Sequence, residues 1–225
     1  MSMRVLTWNL FHGRSVPASG RGLLGEFAAR LDGWAWDVAL LQEVPPWWPP
    51  PLGRACGAEQ RLVLTSRNWI PPLRWVGARM PELVKSWSGG CNAILVRGGS
   101  IEEHKTHRLA LRPERRMMHG VRLRSGVWVV NLHASTRGAA GEPQTRAESL
   151  QAAGTALGWA GGAPLVLGGD FNLRGTPELP GLRHVAGHYV DHVYVSRIEA
   201  SGVGEVLERG TLSDHAPVAV DLAVP

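Results

Sequence analysis

The stretch Pro164-Leu165-Val166-Leu167-Gly168-Gly169-Asp170-Phe171-Asn172 constrains this chain more than any other. Its first residues are apolar and partly β-branched, which predicts a short buried strand. Two glycines follow, where the backbone can turn sharply or approach another group closely. A carboxylate and an amide come next, two residues apart. A strand that opens into Gly-Gly-Asp-x-Asn puts Asp170 and Asn172 at the carboxyl edge of a sheet, where active sites gather. A carboxylate can accept a proton or hold a metal, and an amide can donate to an anionic oxygen. Asp and Asn are also ordinary turn residues, so taken alone the stretch leaves an Asx-rich turn open.

The same pattern recurs along the chain. Residues 4–10 predict a strand ending on Asn9, and residues 37–43 a buried strand closing with Gln42 and Glu43. A Glu at the end of an apolar strand is costly unless it is solvated or bound to something. Residues 61–65 and 93–97 predict further strands, the second entered through Gly89-Gly90-Cys91-Asn92. Residues 118–124 and 127–131, with a turn at Gly126, predict a hairpin whose second member runs on into His133. Residues 191–196 predict a strand with Asp191 at its mouth, and residues 216–222 a last strand preceded by Asp214 and His215. A helix is expected within 20–34 from the spacing of Leu23, Leu24, Phe27 and Leu31. Another is expected over 143–159, with Pro143 in its first turn and Ala147, Leu150, Ala153 and Leu157 on one face. Residues 45–51, with Trp47 and Trp48 among prolines, are expected to be irregular. They are either an aromatic lip for a substrate or lipid surface, or a loop folded onto the core, the second being favoured.

Several strands follow one another by short turns, so antiparallel pairing accompanies the helices. No repeat or linker divides the sequence. Residues 1–225 therefore read as one α/β sandwich domain, a better fit than a doubly wound parallel sheet. A chain of 225 residues can bury a sizeable core without staples. Cys56 and Cys91 have no metal-ligand or redox spacing and read as free thiols. The net charge of +5 comes almost wholly from Arg, with Lys85 and Lys105 the only lysines. Arg suits bidentate phosphate recognition, so the charge lends weak support to an anionic substrate, although a solvated surface accounts for most of it. With no signal peptide and no membrane-length apolar stretch, the expectation is a cytoplasmic monomer with no stable protein partner.

Asn9, Glu43, His133, Asp170, Asn172, Asp191, Asp214 and His215 all lie where an apolar strand meets a loop. One such residue means nothing; eight, mixing carboxylates, imidazoles and amides, point to a single site. Carboxylate oxygens such as those of Glu43 and Asp214 suit Mg²⁺, and the lack of Cys or paired His at zinc spacing disfavours zinc. A His beside such an Asp can act on a phosphate oxygen or a leaving group, and a second carboxylate can fix its tautomer. His12, His119 and His192 read as ordinary loop or strand histidines. Arg115 or Arg116 could add a phosphate contact, with a plain surface role at least as good for either.

Trp8-Asn9-Leu10, Leu41-Gln42-Glu43, Asn131-Leu132-His133, Gly169-Asp170-Phe171-Asn172, Asp191-His192-Val193-Tyr194 and Ser213-Asp214-His215 resemble, in order, the motifs of the endonuclease/exonuclease/phosphatase superfamily, the deoxyribonuclease I-like fold. Gly90-Cys91-Asn92-Ala93-Ile94-Leu95 resembles its Gly-Asn-Ala-Ile strand, with Cys91 inserted. The resemblance spans residues 4–222. It implies a four-layer α/β sandwich: two mixed, largely antiparallel β-sheets face to face, with helices outside. It also implies Mg²⁺ or Mn²⁺ and hydrolysis of a phosphate ester. Carried over by motif, Glu43 is a metal ligand, with Asn9 and Asp214 near or on the metal. Asp170 orients or deprotonates the attacking water. Asn172 and His133 contact the phosphate, and His215, paired with Asp191, serves proton transfer or charge stabilisation. Asn92 and Arg116 are the candidate substrate-binding residues.

The expected activity is a nuclease or nucleotide phosphodiesterase of low sequence specificity. The runner-up is a phosphatase or phosphodiesterase on a lipid or sugar headgroup, which the Trp47-Trp48 loop faintly favours. A non-catalytic phosphate-binding module is disfavoured, because the motif set is complete. Residues 173–190 suggest a tight connection and not a long reading arm, which argues against kinking of DNA or preference for an abasic site.

Overall fold

The computed structural model describes residues 1–65, 76 and 89–224. Strands alternate with few helices in the order β1 Ser2–Asn9, a 3₁₀ turn Phe11–Gly13, α1 Leu24–Asp32, β2 Val38–Val44, α2 Pro49–Ala55, β3 Ala58–Leu64, β4 Cys91–Arg97, β5 Ile101–Ala110, β6 Arg116–Leu123 and β7 Trp128–His133. Then follow α3 Arg137–Ala140, α4 Glu142–Ala160, β8 Leu165–Asp170, β9 Arg183–His188, β10 Asp191–Ser196, β11 Glu199–Ala200, β12 Glu205–Val206 and β13 Val218–Ala223. One sheet runs β11-β13-β1-β2-β4-β3, with β12 also on β13, and the other β5-β6-β7-β8-β10-β9. Among the described residues, only β1–β2 and β7–β8 are parallel pairs.

Three apolar layers hold this together. Between the sheets lie Val5, Leu40 and Ile94 from the first and Val129, Val166 and Val193 from the second. Phe27 and Leu31 of α1 and Leu52 of α2 cover the outer face of the first sheet. Ala152, Ala153 and Ala156 of α4 cover the second. Strand residues therefore serve two cores at once, which is why β2, β4 and β7 read as unbroken apolar runs. The result is the four-layer sandwich expected from the sequence.

The local expectations needed three corrections, and one open alternative was decided. Residues 49–51 are helical: their prolines occupy the first turn of α2, where a missing N–H leaves no bond unmade. The buried face of α4 is Thr145, Glu148, Ser149, Ala152, Ala153 and Ala156, while Leu150 is exposed and Ala147 is too. Glu148 sets that rotation, accepting from the Ser135 backbone N–H at 2.7 Å and the Ser135 hydroxyl at 2.9 Å. The favoured reading of the Trp47-Trp48 segment, folding onto the core, holds: Trp48 is 5% exposed and packs on Phe27 at 5.3 Å. Lastly, residues 173–190 contain β9, paired antiparallel with β10.

Gly169 shows why the Gly-Gly step cannot vary. Its φ is +142°, and a Cβ there would sit 2.0 Å from the Leu132 carbonyl oxygen of the neighbouring parallel strand. Gly169→Ala is expected to destabilise the fold by about 3 kcal/mol or more, from backbone strain plus a clash with main chain that cannot rotate away. Urea unfolding measures this, and an unshifted midpoint would show that β7 and β8 tolerate separation.

Candidate active site

The strand directions bring the candidate residues to one edge. The carboxyl ends of β1, β2, β7 and β8 carry Asn9, Glu43, His133 and Asp170. Strands β4, β6, β10 and β13 run antiparallel to these, so their amino ends lie at the same edge. Those ends carry Asn92, Arg116, Asp191 and, just before β13, Asp214 and His215. Sequence positions spread over the whole chain thus meet on one rim of the sandwich.

Polar bonds lock the two sheets together there. The Asn131 amide on β7 donates to the carbonyls of Leu41 and Ala93 across the gap, each at 2.9 Å, and Gln42 donates to Asn131 Oδ1 at 2.8 Å. Asn9 Nδ2 donates to Asp170 Oδ2 at 3.0 Å. The loop with Asp214 and His215 is tied to β1 twice: Trp8 Nε1 donates to the His215 carbonyl, and the Ser213 hydroxyl to the Asn9 carbonyl.

Local backbone chemistry aims the side chains. The β2–β4 register slips between Leu41 and Val44, a bulge that sends Gln42 into the seam and leaves Glu43 facing the rim. Glu43 sits at φ +49°, and Phe11, His12, Asn172 and Ser213 are likewise at positive φ. Each such residue costs about 1–3 kcal/mol and persists only where its surroundings over-determine it. Their concentration on this rim coincides with the candidate residues.

Two carboxylates and an imidazole form the centre. His215 Nδ1 lies 2.7 Å from Asp191 Oδ2, and His215 Nε2 lies 3.9 Å from Asp170 Oδ2. Burial alone would lower the His215 pKa. The hydrogen bond and charge of Asp191, with the charges of Asp170 and Asp214, outweigh it and raise His215 to about 10. Burial, then the nearby Asp191 charge, raises the Asp170 carboxyl to about 7, against the pull of His215 and the Asn9 bond. The Asn172 backbone N–H donates to Asp170 Oδ1 at 2.9 Å, so the Asx turn exists and serves to hold this carboxylate.

His133 lies 3.5 Å from Asp170 and 3.8 Å from Glu43. Burial first, and then the positive charge of Arg116, lowers its pKa well below the usual imidazole value. Arg116 is not a surface residue: it is 8% exposed, lies 3.1 Å from His133 Nδ1, pairs with Glu114, and leaves its own Nε–H buried without a partner. Asn92 is fully buried, its amide donating to the Met117 carbonyl across the sheets while Oδ1 is unpartnered.

His12 does not fit the reading of an ordinary loop histidine. Its Nε2 lies 3.2 Å from Glu43 Oε2, and its buried Nδ1 has no partner. Asp214, whose side chain is 44% exposed, acts electrostatically on both His12 and His215, so it completes the ring around the rim. His12 follows Asn9 by three residues and precedes Gly13, a strand-to-turn signal that could have flagged it. His119 and His192 are structural, as expected: each is buried and paired with another histidine, His104 and His184 respectively.

The arrangement therefore combines oxygen donors, a carboxyl poised near neutrality, an imidazolium held by a carboxylate and a buried guanidinium. Together these can bind an anionic ester, relieve its charge and activate water.

Solved structures with the same fold include an endonuclease/exonuclease/phosphatase from Bacteroides vulgatus, at 15% identity and TM-score 0.76, each chain covered over 100% of its length. A mannosyl-6-phosphatase from Bacteroides thetaiotaomicron aligns at 17% identity and TM-score 0.69, covering 98% of this chain and 99% of that one. Truncated TDP2 from Caenorhabditis elegans aligns at 18% identity and TM-score 0.67, covering 99% and 98%. No curated protein sequence matches the chain. Residues 6–215 match the sequence profile of the Endonuclease/Exonuclease/phosphatase family. The chain belongs to that family of phosphate-ester hydrolases.

Proposed function

We propose that this protein is a divalent-metal-dependent phosphodiesterase acting on nucleic acid or nucleotides with low sequence specificity. The observation that carries this reading is the pairing of unlike titratable groups on one rim: an Asp170 carboxyl raised to about 7 beside an imidazolium, His215, bound to Asp191. Two groups whose surroundings push them apart in this way are suited to opposite proton tasks.

The residues present fit Mg²⁺ or Mn²⁺. The oxygen donors of Asn9, Glu43 and Asp214 are of the hard type such ions take. Among the described residues, Glu43 has His12 and His133 as its ion-pair neighbours and no Lys or Arg. Asp170 and Asp191, both buried, set two carboxylates beside the single imidazole of His215, a donor set in which a cation would offset charge. When bound, such an ion supplies charge relief on the phosphate oxygens. Asp170, near its titration point at neutral pH, accepts the proton of the attacking water. His215 faces the developing charge or the leaving oxygen as an imidazolium. Arg116 and neutral His133 hold a non-bridging oxygen, and Asn172 fixes Asp170.

Catalysis is the better reading than a phosphate-binding module, because binding alone has no use for a buried carboxyl tuned to neutrality. A sugar-phosphate reading draws on the mannosyl-6-phosphatase likeness. The lipid reading loses its support, since Trp48 belongs to the core. Assays on single- and double-stranded DNA, RNA, cyclic dinucleotides, mannose 6-phosphate, phosphoinositides and bis(p-nitrophenyl) phosphate, each with Mg²⁺ and Mn²⁺, test the assignment. Hydrolysis confined to the monoester would sink it.

Metal binding is separable from turnover. Calorimetric Mg²⁺ titration is expected to show one ion on the parent and binding weakened by ~10-fold or more in Glu43→Gln, which loses a charge and a strong acceptor. Equal binding by both proteins would remove Glu43 from the ligand set.

A further inference from the structure

A groove with a volume of about 590 Å³ opens beside the site over the second sheet, lined by Arg137, Gly138, Glu142, Asn172, Arg174 and Val190. That volume is in the range of small-ligand sites. Its walls continue the strands that carry the site. Arg137 follows His133 by four residues, Arg174 follows Asp170 by four, and Val190 precedes Asp191 directly. Asn172 belongs to both, since it lines the groove and holds Asp170 through its N–H.

The charge of the groove is opposite to that of the facing side of the rim. Glu43 and Asp214 lie on the first-sheet side, whereas the groove gathers arginines. Glu142 is shared, lying 2.8 Å from Arg137 and 3.4 Å from Arg146. Arg174 is exposed and makes no ion pair among the described residues. Arg137 and Arg174 thus line the groove with a single carboxylate, Glu142, a net excess of one positive charge next to the candidate phosphate contacts, and Arg146 draws further on that carboxylate from outside the groove. Tyr189, 72% exposed at the β9–β10 tip, stands at the Val190 end.

We propose that this groove binds a second phosphate of the substrate, the neighbour of the scissile one, between Arg174 and Arg137. The inference rests on the phosphoesterase reading of the site and narrows it: the substrate class carries at least two phosphates. Guanidinium groups recognise phosphate through paired, charge-assisted bonds. An unpaired Arg174 can offer both donors without first losing a partner. The second phosphate would come from the adjoining nucleotide of a nucleic acid strand or from a bisphosphorylated small headgroup.

The test compares the dinucleotide TpT with pTpT and TpTp, and inositol 1,4-bisphosphate with inositol 1-phosphate. The expected result is a preference of ~10-fold or more in kcat/KM for a doubly phosphorylated member of one series, the size of one charge-assisted contact. Preference in the nucleotide series assigns the source to nucleic acid, and preference in the inositol series to a headgroup. Arg174→Gln is expected to bring that ratio close to one, mainly through KM, with Arg174→Lys restoring part of it. Thymidine 3′,5′-bisphosphate binding, followed by calorimetry, should weaken by a similar factor in Arg174→Gln. Hydrolysis without any such preference, or a preference untouched by Arg174→Gln, overturns the groove assignment while the phosphodiesterase reading stands. Absence of hydrolysis in every arm, bis(p-nitrophenyl) phosphate included, overturns both.

Discussion

Asp170→Asn is expected to lower turnover by ~10²-fold or more while leaving the folded state as stable as the parent, or more so. The amide keeps the size of the side chain and can still accept the Asn172 N–H, but it cannot take a proton from water. The stability arm follows from the sign of the pKa shift. Folding raises Asp170 from 3.8 to about 7, chiefly through burial and the Asp191 charge. A carboxyl raised in this way contributes stability at pH below its unfolded value and loses it as pH rises through about 7. Above that pH the parent holds a buried charge that His215 and the Asn9 and Asn172 bonds only partly offset in the absence of metal, and the variant does not. Thermal unfolding with chelator at pH 5 and pH 8 should therefore show a gain for Asp170→Asn that is larger at pH 8. A marked loss of stability with turnover retained would mean that Asp170 is a turn residue and no more.

Asp191→Asn is expected to change the shape of the pH profile and not only its height. His215 owes its raised value, about 10, to the hydrogen bond and charge of Asp191 overcoming burial. With an amide in that place, burial regains weight and the imidazolium titrates at lower pH, held only by the charges of Asp170 and Asp214. The alkaline limb of kcat/KM should move down, so the variant loses more activity at pH 9 than at pH 6. Stability changes in the same sense. A His raised on folding contributes stability that is complete below its ordinary value of 6.5 and is lost as pH rises through about 10. Removing Asp191 removes that contribution, most fully below pH 6.5 and progressively less as pH rises towards 10. A profile that merely scales downward, with its limbs in place, would show that the pair is uncoupled.

Most of the site was legible in the sequence because it is built from strand ends. An apolar run that stops on a polar residue is a local pattern, and each of Asn9, Glu43, His133, Asp170 and Asp191 closes or opens such a run. Their convergence also followed, since antiparallel neighbours put carboxyl and amino ends at one edge. The remaining features were decided by which groups come near one another across the fold. Arg116 and a surface arginine look alike in sequence; it is buried because His133 and Glu114 are there to receive it. His12 is one histidine among nine until the Glu43 bulge brings a carboxylate to 3.2 Å. Leu150 would be the natural apolar anchor of α4, yet the Glu148–Ser135 bonds turn it outward, because a buried carboxylate must face its donors. Trp48, followed by prolines, is open between an exposed lip and a core residue in sequence, and its packing against Phe27 at 5.3 Å within the cluster under α1 and α2 decides for the core. Chain order alone marks the strands that carry the candidate residues and their polar ends, although β5, β9, β11 and β12, which carry none of them, leave no such signal. The protonation states, the buried guanidinium and the arginine groove were decided by the tertiary structure, because burial and charge proximity are properties of pairs of residues that the chain order does not contain.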